Sequence, residues 1–286
     1  MYIIDRQLWG LLREDSHFRY NTGTVAYLYE THLHTDGASK CAASRGADYI
    51  AGYIDKGYSG IIVTEHFFNA NCSLSRKLPW KEWVNRFCQG YEDARNEGER
   101  RGLDVFFGWE ETFDNCDDYL VYGLDKDWLF EHPECRYWTR GEQYRAVKAA
   151  GGCVVQAHPF RQRYYIKRVI LSTGCVDAVE VANGGHEDFF DALAYRYAKK
   201  LGKPMIAGTD IHDTSIIYSG EIFGVYSNRK LNSIADFVNM ICNNEIAGLK
   251  TDKSRFTFYG NESVKIPVEI RDENDRITGK HWRELI

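Results

Sequence analysis

The stretch Gly60-Ile61-Ile62-Val63-Thr64-Glu65-His66 (GIIVTEH, 60–66) decides how this chain is read. Its β-branched apolar run favours a strand. The run is continuous rather than alternating, which marks a strand buried on both faces, as in a parallel sheet. It ends on a histidine. The same grammar recurs in TVAYLYETH (24–32), DVFFGWEE (104–111), DYLVYGL (118–124), GCVVQAHP (152–159), DAVEVAN (177–183) and PMIAGTDIH (204–212). FGVYSN (223–228) reads as a late edge or terminal piece.

Helical patterns fill the intervals. In RGADYIAGYIDKGY, Ala47, Ile50, Ala51 and Ile54 share a face and Gly57 stops the helix. PWKEWVNRFCQGYEDARNEG reads as one helix, with Pro79 in its first turn and a stripe of Trp80, Trp83, Val84, Phe87 and Tyr91. RGEQYRAVKAAGG, FFDALAYRYAKKLGK and NSIADFVNMICNNE follow the same pattern. Strands alternating with helices predict βα units around a parallel sheet. Seven such strands predict a closed barrel, with an open doubly wound sheet as the alternative. The chain carries no Gly-rich phosphate loop. It reads as a single domain over 1–286, with a barrel core at about 24–250 and decorations at either end. In the C-terminal decoration, SVKIPVEIRDEN reads as an edge hairpin.

Composition narrows the function classes. The chain of 286 residues is 44% hydrophobic and 27% charged, as expected of a globular protein. Its net charge of −5 argues against a nucleic-acid partner. The basic RNEGERRG (95–102) interleaves Glu97 and Glu99 and reads as a solvated helix end. No apolar run approaches the roughly 18–20 residues that cross a bilayer. MYIIDRQLWGLLRED lacks the pattern of a signal peptide. Eight cysteines are scattered singly without a CxxC pair, which predicts free thiols and a cytoplasmic location.

Ligand-type residues fall at strand ends. His32 and His34 close the first strand, His66 the second, Glu110 the third and His158 the fifth, and Asp210 and His212 close the last. In a βα barrel that end carries the active site. Histidines and carboxylates converging there suit a borderline divalent metal. Taken singly, each signal is weak: His158-Pro159 also reads as a turn, and Glu110 as a salt-bridge partner. Lone histidines such as His17, His132, His186 and His281 read as surface or satisfied residues. The ordered set carries the inference.

HLHT (32–35), TEH (64–66), GWE (108–110), AHP (157–159), EVANG (180–184) and GTDIH (208–212) together resemble the PHP superfamily, named for polymerase and histidinol phosphatase. The resemblance spans roughly residues 24–225. It implies a distorted, TIM-like (β/α)7 barrel of PHP type that holds two or three divalent ions (Zn, Mn or Fe) and hydrolyses phosphate esters. His32, His34, Glu110 and Asp210 would hold one ion. Glu110 would bridge to a second, shared with His158 and with Asp118, where many members carry a histidine. His66 and His212 would hold a third.

The third position departs from the family, which adds a His or Asp about eight residues after the first histidine. Here that count reaches Lys40, whose ammonium cannot ligate. Either Cys41 or Asp36 substitutes, or the site holds two ions. Lys40 would then contact a substrate phosphate or point to solvent.

The implied chemistry is in-line attack on phosphorus by a hydroxide held between ions at Glu110 and Asp210. Arg161 would clamp the phosphate, with a helix-surface role as its alternative. Asn183 would donate a hydrogen bond in the mouth. A bound water or His212 would protonate the leaving group. The expected substrate is a small phosphate ester: a metabolite, a nucleotide or a histidinol-phosphate-like compound. The rival readings are a nuclease, an amidohydrolase-type metal hydrolase and a non-catalytic PHP-like module. Phe67, Phe68, Trp80 and Trp83 would either stack on a substrate ring or pack the core.

Overall fold

The computed structural model describes residues 26–114, 116–260 and 263–286. The N-terminal decoration and the first two residues of the 24–32 strand lie outside them. The described elements are β1 (Tyr27–Leu33), α1 (Gly46–Asp55), β2 (Gly60–His66), α2 (Trp80–Phe87), α3 (Gln89–Arg101), β3 (Asp104–Phe113), β4 (Asp117–Tyr122), α4 (Lys126–Glu131), α5 (Arg140–Ala149), β5 (Cys153–Gln156), β6 (Val169–Ser172), β7 (Ala178–Asn183), α6 (Asp188–Leu201), β8 (Met205–Gly208), α7 (Ile216–Ser219), β9 (Gly224–Ser227), α8 (Ile234–Cys242), β10 (Gly248–Lys250) and β11 (Val268–Arg271).

Nine strands form one sheet in the order β10-β9-β1-β2-β3-β4-β5-β7-β8. The sheet nearly closes into a barrel. At the seam the backbone of His34 donates to Ile211 (2.9 Å) and that of Ile211 to His32 (3.3 Å). The seam therefore lies beside four of the ligand-type side chains, His32, His34, Asp210 and His212.

The prediction of an all-parallel sheet needs correction at β4, which runs antiparallel to both β3 and β5. Only three residues separate Phe113 from Asp117. A parallel crossover needs about a dozen. The reversal carries the start of β4, with Asp118, to the same barrel end as the close of β3.

Three further expectations change. FGVYSN does not form an edge: β9 lies between β1 and β10. Residues 268–271 form no hairpin strand pair but run parallel to β6 in a second, two-stranded sheet. The long helix from Pro79 is broken at Cys88 into α2 and α3.

The buried stripe of α1 is Tyr49, Ile50 and Tyr53. Ala47, Ala51 and Ile54 are only half-buried, so the packed face is rotated from the one predicted. The aromatic residues after β2 belong to the core. Phe67 packs edge-on against Trp83 (5.2 Å between centroids) and stacks on Trp109 (5.3 Å). The eight cysteines are all free. Among the described residues, no helix is long and apolar enough to cross a membrane.

Helices α1 and α3 cross through small residues. A Cβ on Gly46 would fall 2.1 Å from the Gly90 carbonyl oxygen and 2.9 Å from the Ala94 nitrogen. Both obstacles are backbone and cannot swing aside. Gly46→Ala is expected to lower stability by about 1–3 kcal/mol. The measurement is the denaturant midpoint at unchanged m-value; an unchanged midpoint would contradict this packing.

Candidate metal centre

The residues at the barrel mouth are buried with unusual completeness for their chemistry. His32, His34, Glu110, His158 and Asp210 are all buried, and His66 and His212 sit at the rim. The ligand-type atoms fall into three overlapping groups: His32–His34–Asp210, His32–Glu110–His158 and His34–His66–His212. Two of these residues stand on backbone that side chains seldom adopt, with φ of +26° at His158 and +55° at Asp210. Such strain concentrates at functional sites.

Three of the imidazoles have Nδ1 committed to the protein. His32 Nδ1 lies 2.9 Å from Glu180 Oε1. His34 Nδ1 lies 3.1 Å from Ser39 Oγ, whose hydroxyl donates to Glu65 (2.5 Å). His212 Nδ1 lies 2.8 Å from the Asp210 carbonyl. This leaves Nε2 of each ring for a ligand, the arrangement by which supporting groups orient metal-binding histidines.

The free nitrogens point at carboxylates. His32 Nε2 is 3.4 Å from Glu110 and 3.5 Å from Asp210. His34 Nε2 is 3.2 Å from Asp210. His158 Nε2 is 3.1 Å from Glu110 and 3.9 Å from Asp118. His66 Nδ1 comes within 2.7 Å of Glu110 Oε2 without hydrogen-bond geometry. In consequence His32 Nε2, His34 Nε2, His66 Nδ1 and Glu110 Oε2 are buried with no hydrogen-bond partner among the described residues. Buried polar atoms are normally satisfied, and a cation among them satisfies both imidazole lone pairs and carboxylates. The mixed nitrogen and oxygen donors fit Zn, Mn or Fe.

The charge balance agrees. Burial pushes the Glu110 carboxyl up, but the imidazoles of His32 and His66 hold it well below the usual carboxylate range. Burial acts likewise on Asp210, and there His32, His34, His212 and Arg161 keep it low. Both carboxyls are therefore ionised and available to a cation.

The other predicted residues divide. Asp118 faces His158 and accepts from Thr112 Oγ1 (2.5 Å), while Asp117 pairs with Arg140 as a structural group. Arg161 reaches into the centre, with Nη1 3.2 Å from Asp210 and 3.3 Å from His158 Nε2. Asn183 is not available to a substrate. It is fully buried, donates to Glu180 Oε2 (2.9 Å) and accepts from the Gly185 nitrogen (2.8 Å). Lys40 is exposed and stands outside the set of residues lining the cleft, a space of about 610 Å³ bounded by Cys41, His66, Asp118, Arg161 and His212 among others.

Three supporting residues escaped the sequence reading. Glu180 holds His32 and also accepts from the His158 backbone nitrogen (2.9 Å). Glu65 accepts from Ser39 and from the Thr35 hydroxyl. Glu30 accepts from the backbone nitrogens of Thr31, His32 and Thr209, from Tyr53 Oη and from the Thr209 hydroxyl. The available signal was a carboxylate set inside an apolar strand, where an unpaired charge is costly.

No protein-family model matches the chain, and no curated protein resembles it in sequence. Solved structures do resemble it in fold. A two-domain protein from Bacteroides vulgatus containing a predicted PHP-like metal-dependent phosphoesterase is 15% identical with a TM-score of 0.53, over 82% of this chain and 67% of that one. PsfC from Pseudomonas syringae is 16% identical with a TM-score of 0.50, over 81% and 93%. The lesion-specific endonuclease PfuEndoQ from Pyrococcus furiosus is 11% identical with a TM-score of 0.50, over 77% of this chain and 56% of that one.

Glu180→Ala removes the partner of His32 Nδ1 while leaving every predicted ligand in place. It is expected to weaken divalent-metal affinity by about 10–100-fold, read by competition with a chromogenic chelator. Unchanged affinity would refute the supporting role.

Proposed function

Because the chain carries the PHP fold, we propose that it is a metal-dependent phosphoesterase that hydrolyses a small-molecule phosphate ester. The observation that carries this reading is the convergence of four buried, unpartnered ligand atoms, on His32, His34, His66 and Glu110. His32, His34, Glu110 and Asp210 would hold one divalent ion, Glu110 with His158 and Asp118 a second, and His66 with His212 a third. Bound there, such ions activate water and stabilise both the attacking and the leaving oxygen of an in-line displacement.

Arg161 supplies the phosphate clamp. Its guanidinium lies beside Asp210 and His158, and its buried Nε has no hydrogen-bond partner among the described residues. A planar guanidinium binds two phosphate oxygens at once. His212, at the rim, protonates the leaving oxygen when its Nε2 carries no ion. The cleft of about 610 Å³ has the size of a small-ligand site. Free thiols fit a reducing compartment, and we assign the protein to the cytoplasm.

A nuclease is the second reading. It is favoured by the fold likeness to PfuEndoQ and by the segment FRQRYYIKR (160–168), whose Tyr164 is fully exposed. Salt separates the two: a nuclease loses affinity steeply as salt rises, whereas turnover of a small ester changes little.

Chelated protein is expected to lose hydrolysis of an aryl phosphate or phosphodiester and regain it with Mn or Zn. His32→Ala and Asp210→Ala are expected to stay inactive after the metal is restored, and retained turnover in either would refute the proposal. Arg161→Ala is expected to lower turnover by about 10²–10³-fold with metal content unchanged, checked by steady-state kinetics beside elemental analysis.

A further inference from the structure

The third ion position lacks the ligand that the resemblance leads one to expect, and the structure puts a sulfur there. Cys41 Sγ lies 3.2 Å from His66 Nε2, and His212 lines the same cleft. Since His212 Nδ1 is held by the Asp210 carbonyl, its Nε2 is the nitrogen left for a ligand. His66 and His212 flank His34, stacked on it at 4.2 Å and 4.4 Å. His34, His66 and His212 offer ligand atoms within 4.8 Å of one another, and the Cys41 sulfur adjoins that group through His66.

The backbone presents the thiol rather than leaving it adrift. The Lys40 nitrogen donates to the Asn71 carbonyl (3.0 Å), and the Ala43 nitrogen to the carbonyl of His212 (2.8 Å). Ser39 bridges Cys72 on the same side. The sulfur lines the cleft while the Lys40 side chain is excluded from it. Asp36, the other candidate, is exposed and also outside the cleft lining.

We propose that Cys41 is a thiolate ligand, completing with His66 and His212 a third metal position that is soft where the other two are nitrogen–oxygen sites. The proposal rests on the metal-centre reading above. A thiolate selects Zn, Fe(II) or Co(II) over Mn and Mg, so this position takes a different ion from its neighbours when both kinds are present.

The test is a cobalt titration of chelated full-length protein. Wild type is expected to show visible d–d bands together with a near-ultraviolet thiolate-to-cobalt charge-transfer band. Cys41→Ser is expected to lose the charge-transfer band, keep the d–d bands of the remaining positions and bind one fewer ion per chain. Cys116→Ser, which removes the other cysteine lining the cleft, is expected to keep both. Wild-type d–d bands without charge transfer, or a charge-transfer band that survives in Cys41→Ser, would overturn the Cys41 assignment alone. Absence of any cobalt spectrum would overturn the metal centre and with it this proposal.

Discussion

A single buried carboxylate organises the barrel mouth. Glu30 is fully enclosed and gathers three backbone N–H groups and two hydroxyls from β1, α1 and the chain just beyond β8. Burial raises its affinity for a proton, and the hydrogen bonds from Thr209, His32 and Tyr53 oppose that rise. Because its donors come from both sides of the seam, Glu30 fixes how β1 and the end of β8 meet. His32 and His34 leave from one side of that seam and Asp210 and His212 from the other. Their convergence depends on the joint being held.

Around it, the centre is built in two layers with different jobs. The inner atoms are left without protein partners, which is costly in a dry interior. The outer atoms are saturated: Glu180, Ser39 and the Asp210 carbonyl each take one nitrogen of a histidine. Missing side chains matter too. A Cβ on Gly90 would fall 2.0 Å from Thr35 Oγ1, and one on Gly208 2.5 Å from His32 Cβ. The supports can press against the ligands because nothing projects from the backbone behind them.

Much of this was legible from sequence, for a definite reason. A histidine or carboxylate closing a buried strand breaks the apolar pattern, so His32, His34, His66, Glu110, His158, Asp210 and His212 stood out. Asp118 entered through the family resemblance alone, because a residue at the start of a strand reaches the mouth only if that strand is reversed; the short link from Phe113 to Asp117 contained that information. Glu180 and Asn183 could not be sorted, because a polar residue in an apolar strand looks the same whether it faces a substrate or braces a ligand. The Trp80–Phe87 stripe was legible as apolar, but the break at Cys88 was not, since the apolar spacing runs on through it to Tyr91. The pairing of β6 with β11 joins short segments about a hundred residues apart, beyond the reach of any local pattern.

The tight link between β3 and β4 has one more consequence. After β1, β2 and β5 the chain runs about a dozen residues before its next element. Here three residues turn the backbone straight round, and Thr112, Asp114, Cys116 and Asp118 line the cleft beside it. On the reading proposed above, the part of a substrate that extends past Asp118 would meet a rim built from two paired strands rather than from a long loop.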